Sequence, residues 1–532
     1  MSTVPPAFRG IWRDDNDARA VYSEAAGIQR IVPRAVAVPA DANDVVTLVR
    51  WAADHSVPLT ARGSGSSMAG GALGTGVVVD LNRLRAIEPI DAARKRVVVG
   101  PGAICADVDA TAHKSGLRFP VDPSSARFCT IGGMAATNAA GSRTLRYGQT
   151  RAWIEGLECV FADGVRAWIR RSDPLPRVAA LERFAALGQS ARAATRGGLR
   201  KQSSGYALAG SGSAGVVDTL VGSEGTLALF TAIELRLAPI PVASATLLAS
   251  FASIDDAATA AAVAAELNAS ACELLDRTFL EIARRGGHVD IDDDADAVLV
   301  VEIEEADAIR AKDVAAAIAA GFRRTGATRV ETALDDAHAT KLWQLRHAAS
   351  PILAALSRST ISMQVVEDGA VPPARLADYV RGLRGLISTH GFEGVLFGHA
   401  GDGHVHANVL VDVRTPDWRG RLSRLFDDSV GLVESLGGTL AGEHGDGRLR
   451  AAALSRMWPS DAIDAFRAIK AAFDPHGILN PGVKLAQQPE VLGGPIKYDP
   501  SLPPLPDRVR NALDRIQRER LWGTSRLALL DE

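Results

Sequence analysis

The sequence predicts an α+β protein of more than one domain, and three features lead to that class. A glycine-rich loop, Arg62 to Gly76, lies between two short apolar segments, so it joins strand to strand. Beyond residue 243 the apolar spacing reads strand, helix, strand, twice over. An Asp402-Gly403 pair between apolar runs marks a hairpin. At 532 residues the chain is also long enough for two or more domains.

Taken in order, the first element is a helix over Asn43–His55, where Val45, Val46, Leu48, Val49 and Ala52 repeat at helical spacing behind an Asn cap. A strand over Val57–Thr60, the glycine loop and a strand over Val77–Leu81 follow. The later part reads as strand Thr246–Phe251, helix Asp255–Asn268, strand Ala271–Asp276, then strand Ala297–Glu304, helix Asp313–Arg324 and strand Thr328–Thr332. That order is the split βαβ arrangement of ferredoxin-like folds. After residue 485 the chain turns Pro-rich and ends in a charged helix, Arg508–Trp522, which either packs back, tethers a partner or does little.

Composition excludes several classes. With 59 Lys+Arg against 62 Asp+Glu the net charge is -3, which argues against a protein built to bind nucleic acid or an anionic membrane. Met1 to Trp12 lacks the apolar core of an export signal, so the cytoplasm is the default location, with peripheral membrane attachment left open. The uncharged stretch Leu237–Ile254 carries Pro239 and Pro241 and suits a linker and strand better than a membrane span. Cys105, Cys129, Cys159 and Cys272 form no C-x-x-C pair, so a disulfide framework or an iron–sulfur cluster within this chain is not expected.

The loop Arg62-Gly63-Ser64-Gly65-Ser66-Ser67-Met68-Ala69-Gly70-Gly71 offers many unhindered backbone N–H groups beside an arginine, a concavity suited to a diphosphate. It is neither a Walker loop nor a Rossmann turn, since no Gly-Lys-Ser/Thr follows and Met68 fills the third glycine position. A second G-x-G-x-x-G match, Gly210 to Gly215, reads as chance in low-complexity sequence. Further along come Pro101-Gly102, Asp122-Pro123-Ser124-Ser125, the Thr130 to Gly141 segment (TIGGMAATNAAG), Tyr147-Gly148 and Gly222-Ser223-Glu224-Gly225.

In that order, over about residues 35 to 237, the series resembles the FAD domain of the vanillyl-alcohol oxidase/PCMH flavoprotein superfamily. The resemblance implies a two-part FAD-binding domain. The cofactor would be held by Arg62, Gly63, Ser64, Gly65, Ser66, Ser67 and Gly70, by Pro123, Ser124 and Ser125, by Thr130, Gly132, Gly133, Ala136, Asn138 and Gly141, and by Glu224 and Gly225. Some relatives attach FAD covalently through a histidine in these loops; residues 62–76 and 130–141 contain none, so the FAD is expected to be non-covalent.

The stretch Val395 to Leu410 carries a second signal. With Asp402 and Gly403 as a two-residue turn, His399 would oppose His406, close enough for two imidazoles to hold one cation. Asn408 would share their face, while Val405, Ala407 and Val409 would point into the core. The same spacing also suits imidazoles that merely stack across a hairpin. In Gly442-Glu443-His444-Gly445-Asp446-Gly447, Glu443 can supply a third ligand and His444 a free base. Two histidines and a carboxylate equally suit a non-haem iron oxygenase.

The pattern His399-x-Gly401-Asp402-Gly403-x-x-His406-x-Asn408, then Gly442 to Gly445, then Phe473 to Lys484 (FDPHGILNPGVK) is similar to the C-terminal half of FAD-linked D-2-hydroxyacid dehydrogenases. That group includes the D-lactate, glycolate and D-2-hydroxyglutarate enzymes. The resemblance implies a divalent metal on His399, His406 and Glu443, with zinc first and manganese or iron(II) also fitting. It makes His444 the base and a substrate contact, with Arg346 and Asn408 on substrate and Asn480 on the flavin. D-Lactate or D-2-hydroxyglutarate are the expected substrates. Yet Val365 to Pro372 lacks the lysine of D-2-hydroxyglutarate dehydrogenases, and Ser350 replaces a threonine of some relatives.

Electrons would pass to an electron-transfer flavoprotein, a quinone, a cytochrome or a separate iron–sulfur protein, and a homodimer is compatible with the reading. The expected division is an FAD domain over 1–242, a substrate (cap) domain over 243–440, a segment 441–485 completing the site with C-terminal helices, and a tail over 486–532. Two rivals belong to other classes: an FAD-dependent transferase of the ether-lipid synthase type, and a flavin electron-relay subunit. The intact His399, His406, Glu443 and His444 set favours the dehydrogenase.

Overall fold

The protein is described from a computed structural model covering residues 4–188, 197–210, 212–285, 292–347, 360–487, 492 and 494–531. Two four-stranded sheets form the first part. In one, Leu59–Arg62 and Val77–Asp80 lie side by side and parallel, followed by Ala35–Val38 and Ile11–Arg13. The glycine loop therefore does connect neighbouring strands. The second is antiparallel, in the order Arg96–Val99, Leu229–Arg236, Ile154–Val160, Arg166–Arg170.

Helix Ala42–His55 buries Val45, Leu48, Val49 and Ala52. Its cap is Asp41, not Asn43: the Asp41 carboxylate accepts the N–H groups of Asn43 and Asp44. An ionised cap acceptor next to the positive helix end is the stronger choice.

The second part contains the ferredoxin-like unit. Its strands run in the spatial order Ala327–Ala333, Ala243–Phe251, Ala297–Glu305, Ala271–Asp276, all antiparallel, with helices Ile254–Glu266 and Ala308–Arg324. The histidine hairpin was not expected to extend this sheet, yet Glu393–His399 pairs with Ala271–Asp276, and His404–Asp412 and Thr360–Met363 follow. That pairing sets Glu273 directly opposite His399.

The C-terminal tail packs back. Helix Asp507–Glu519 and the segment after it bury Val509, Ala512, Leu513, Ile516, Leu527 and Leu530 against Tyr22, Val36, Val38 and Val78 of the first part. Among the described residues no helix is long and apolar enough to cross a membrane, and all four cysteines are free and buried. The stray glycine match runs into helix Ser213–Leu220, where Gly215 is buried, and Gly210 and Gly215 take no part in the cavity described next. Ser350 lies outside the described residues.

Candidate active site

A cavity of about 410 Å³ runs through the protein, and one continuous lining includes both the glycine loop and the histidine cluster. At one end the wall is backbone. Gly63 is a glycine because a Cβ there would sit 2.2 Å from Thr130 Oγ1. Thr130 in turn caps helix Ile131–Thr137, its hydroxyl accepting the Gly133 N–H at 3.2 Å, so that a helix N-terminus opens onto the cavity. Such an end favours an anion.

Of the expected cofactor residues, Arg62 to Ser67, Pro123 to Ser125, Thr130, Gly132, Gly133, Ala136, Gly141, Glu224 and Gly225 line the cavity. Three do not. Gly70 sits against Gln29, behind the wall. Asn138 closes helix Ile131–Thr137 in a left-handed conformation (φ 53°) and accepts Arg151 N–H at 2.9 Å. Asn480 is fully buried, donating to Gly71 O and Glu224 O at 2.8 Å each while Arg448 donates to its oxygen. Its amide is spent on backbone, so it supports the site from behind. Glu224 lines the cavity, but its carboxylate accepts the N–H groups of Asp446 and Gly447 and thus pins the histidine turn to the turn that precedes strand Leu229–Arg236.

At the other end the wall is side chains. The expected register is corrected here: His399 opposes His404, and His406 opposes Phe397. Asp402-Gly403 is not a two-residue turn. Ala400–Asp402 form a 3₁₀ turn closed by Gly403 (φ 69°), where a Cβ would meet Val371 O at 2.1 Å. The Asp402 side chain is buried, 3.4 Å from Lys201. The slip is two residues, an even number, so every side chain keeps its face. His399 and His406 still converge, and His404 joins them.

Donor atoms of His399, His404, His406 and Glu443 all lie within 4.8 Å of one another. His399 Nε2 is 3.0 Å from Glu443 Oε1, and His404 Nδ1 is 3.5 Å from it. The outer ring nitrogens are held by other groups: His399 Nδ1 by Glu273 at 2.5 Å, His404 Nε2 by Asp368 at 3.0 Å and His406 Nδ1 by the Glu367 carbonyl at 2.7 Å. Each contact anchors an outer nitrogen and turns the inner one toward the shared centre, where a cation would meet it. His404 Nδ1 is buried and has no hydrogen-bond partner among the described residues, which is costly unless a ligand meets it. The set therefore fits a divalent metal.

Charge agrees with this. Glu273, Glu367, Asp368, Asp402 and Glu443 are all buried, against the cations Lys201, Arg346 and Arg450. Lys201 donates to Glu443 at 2.5 Å and to the Gly141 carbonyl at 3.1 Å. Among protein groups alone, histidines answer the negative excess. Burial pulls His399 down, but Glu273 and Glu443 outweigh it and raise the ring to about 9. His444 is likewise lowered by burial and raised further by Glu367 and Asp368, to about 10. His406 is held down at about 4 by burial and by its neighbour His404, so it is neutral.

His444 stands on the cavity wall with Nδ1 2.7 Å from Glu367 and Nε2 3.8 Å from Glu443. Asp368 fixes its turn by accepting the N–H groups of Glu443 and His444 at 2.9 Å each. Asn408 and Arg346 also line the cavity. Arg346 donates to Glu273 at 2.8 Å and lies 4.7 Å over the Phe397 ring.

Sequence reasoning missed His404, Glu273, Glu367, Asp368, Arg450 and Lys201. A charge in the apolar strand Ala271–Asp276 and a third histidine in the hairpin were visible signals. Lys201, in a low-complexity stretch, carried none.

Fold and cavity define the class, a flavoprotein oxidoreductase with a PCMH-type FAD-binding domain. Residues 33–170 match the FAD binding domain family and residues 240–483 the FAD linked oxidases, C-terminal domain. The chain belongs to the FAD-linked oxidase family. It is 33% identical to "Glycolate oxidase subunit GlcD" of Bacillus subtilis, over 89% of this chain and 94% of the relative. It is 32% identical to "D-lactate dehydrogenase" of Archaeoglobus fulgidus, over 85% and 92%, and 28% to "D-2-hydroxyglutarate dehydrogenase" of Xanthomonas citri pv. viticola, over 85% and 89%. The solved structure of 4-ethylphenol oxidase from Gulosibacter chungangensis shares the fold, with a TM-score of 0.65 at 17% identity over 90% of this chain and 94% of that one. Alkyldihydroxyacetonephosphate synthase does too, with a TM-score of 0.63 at 15% identity over 88% and 82%.

Proposed function

We propose that the protein is a dehydrogenase that oxidises a D-2-hydroxy acid, D-lactate or D-2-hydroxyglutarate first among them, to the 2-oxo acid. FAD is held non-covalently, electrons pass on to a carrier protein or quinone, and the protein works in the cytoplasm or peripherally at the membrane. One observation carries the reading: the glycine-lined end suited to a dinucleotide and the histidine–carboxylate end suited to a cation line the same cavity.

When bound, FAD supplies a hydride acceptor, and a divalent cation, zinc first with manganese or iron(II) as alternatives, supplies a Lewis acid for the hydroxyl and carboxylate oxygens. His399, His404, His406 and Glu443 are the residues that would hold that cation. His444 takes the hydroxyl proton on Nε2, with Glu367 fixing the ring through Nδ1 as the orienting carboxylate of a base does. The raised pKa of His444 belongs to protein groups alone; a divalent charge beside it opposes that rise by Coulomb repulsion. Arg346 would meet the substrate carboxylate through its planar fork and Asn408 would hydrogen-bond substrate, a reading supported by both lining the cavity.

The test is anaerobic bleaching of the FAD-loaded protein with a panel of D- and L-2-hydroxy acids. Reduction by one or more D-acids, with the L-enantiomers slow, is expected; no reduction by any D-acid contradicts the reading.

A further inference from the structure

Residues beyond 483 lie outside both matched family segments, yet one turn of the tail reaches the cofactor cavity. We propose that this turn is part of the FAD site: Trp522 walls the cavity at its glycine-loop end, and Arg526 adds a buried positive charge behind Arg62, where the diphosphate is held.

Trp522 lies in the 3₁₀ turn Leu521–Gly523, half-buried, and is shared between the wall of the FAD cavity and that of a second cavity of about 430 Å³ enclosed by the tail. It is the partition between the two spaces. The neighbouring Gly523 fits closely against Ile104, where a Cβ would come within 2.9 Å.

Arg526 is 3% exposed and lies 5.3 Å over the Trp522 ring. Its guanidinium donates to the carbonyls of Val21 and Glu24, and Arg62 donates to the same Glu24 carbonyl at 2.9 Å and to Tyr22 O at 3.2 Å. Two buried guanidiniums thus converge on one turn of backbone. Arg30 and Arg510 both contact Glu24, Arg510 also meets Asp514, and Asp80 faces Tyr22, so the four arginines Arg30, Arg62, Arg510 and Arg526 outnumber the three carboxylates. Burial first and repulsion from Arg62 second lower the Arg526 pKa, against the pull of Glu24 and Asp80, so a further anion there is favourable. A diphosphate beside Arg62 supplies it.

This inference rests on the FAD reading, so the experiment separates the two. FAD affinity and dissociation rate are measured by flavin fluorescence for the parent, Trp522→Ala, Trp522→Phe, Arg526→Gln and, on the exposed face of the tail helix, Arg518→Ala. Apoprotein melting is followed in parallel. Trp522→Ala and Arg526→Gln are expected to hold FAD about fivefold to tenfold more weakly, as loss of one aromatic wall or one buried charge implies. Trp522→Phe should recover most of the affinity, Arg518→Ala should match the parent, and apo Trp522→Ala should melt as the parent does. A parent that takes up no FAD removes the cofactor reading and this inference with it. A parent that binds FAD while both tail variants stay within twofold overturns the inference alone, as does weaker binding matched in both by a fall in apoprotein melting temperature.

Discussion

At the glycine-loop end of the cavity the wall is made by short glycine- and serine-rich stretches, Gly63 to Ser67 with Pro123 to Ser125, Gly132-Gly133 and Glu224-Gly225, and the buried arginines nearby, Arg62 and Arg526, are positive. At the histidine end the wall is made by side chains, among them Arg346, Glu367, His399, His406, Glu443 and His444, backed by the buried Glu273, His404 and Lys201, and the buried charge is negative. The first end offers backbone N–H groups to an anion, and the second offers imidazole and carboxylate to a cation. Each region is incomplete in charge, and the two kinds of group implied by the family complete them with opposite sign. A variant at one end should therefore leave the other end's ligand in place, unless it touches a residue that spans both.

The largest effect falls on the proton. His444→Ala should slow flavin reduction by D-acid by about 10² to 10⁴, the usual worth of a positioned base, while FAD content and bound metal stay at parent levels; stopped-flow absorbance and elemental analysis check this. Next comes His404→Ala, the ligand absent from the sequence-based set. Metal affinity should fall at least about 100-fold, with flavin uptake unchanged, and retention of metal by this variant would return the site to three ligands.

Lys201→Met sharpens the comparison, because the ammonium touches both Glu443 and the Gly141 carbonyl. It should disturb flavin environment and metal affinity together, each by about tenfold, the worth of one charge-assisted contact. A further effect, about as large per pH unit, is set by protonation. His399 carries its proton below about 9 among protein groups alone and must lose it to bind a metal. Affinity should then rise with pH, by about tenfold per unit for one proton displaced, and level off above that value; calorimetry in buffers of different protonation enthalpy measures the released proton.

The same contrast explains what was legible in the sequence. The glycine end could be read because close approaches such as Gly63 on Thr130 demand particular residues at particular positions. The hairpin was read with the wrong register because Asp402 looked like a turn residue; its carboxylate instead faces a lysine more than 200 positions away in the folded chain. Since the error was even, the face and the two chosen histidines survived it. Glu367 and Asp368 act through hydrogen bonds to turns that only tertiary pairing brings near. Asn480 was assigned to the flavin by motif, whereas its amide closes backbone between Gly71 and Glu224. The docking of the tail depends on apolar residues spread over both termini, a pattern with no local period.

The proposed chemistry requires a cation held by the three imidazoles and one carboxylate that converge at one end of the cavity. Its most direct test is single-turnover flavin reduction by D-lactate and D-2-hydroxyglutarate in FAD-loaded protein before chelation, after chelation, and after zinc or manganese is restored. The expected result is loss of reduction on chelation and its return with the metal, FAD remaining bound throughout. Reduction at the full rate in protein shown by elemental analysis to hold no metal would contradict it.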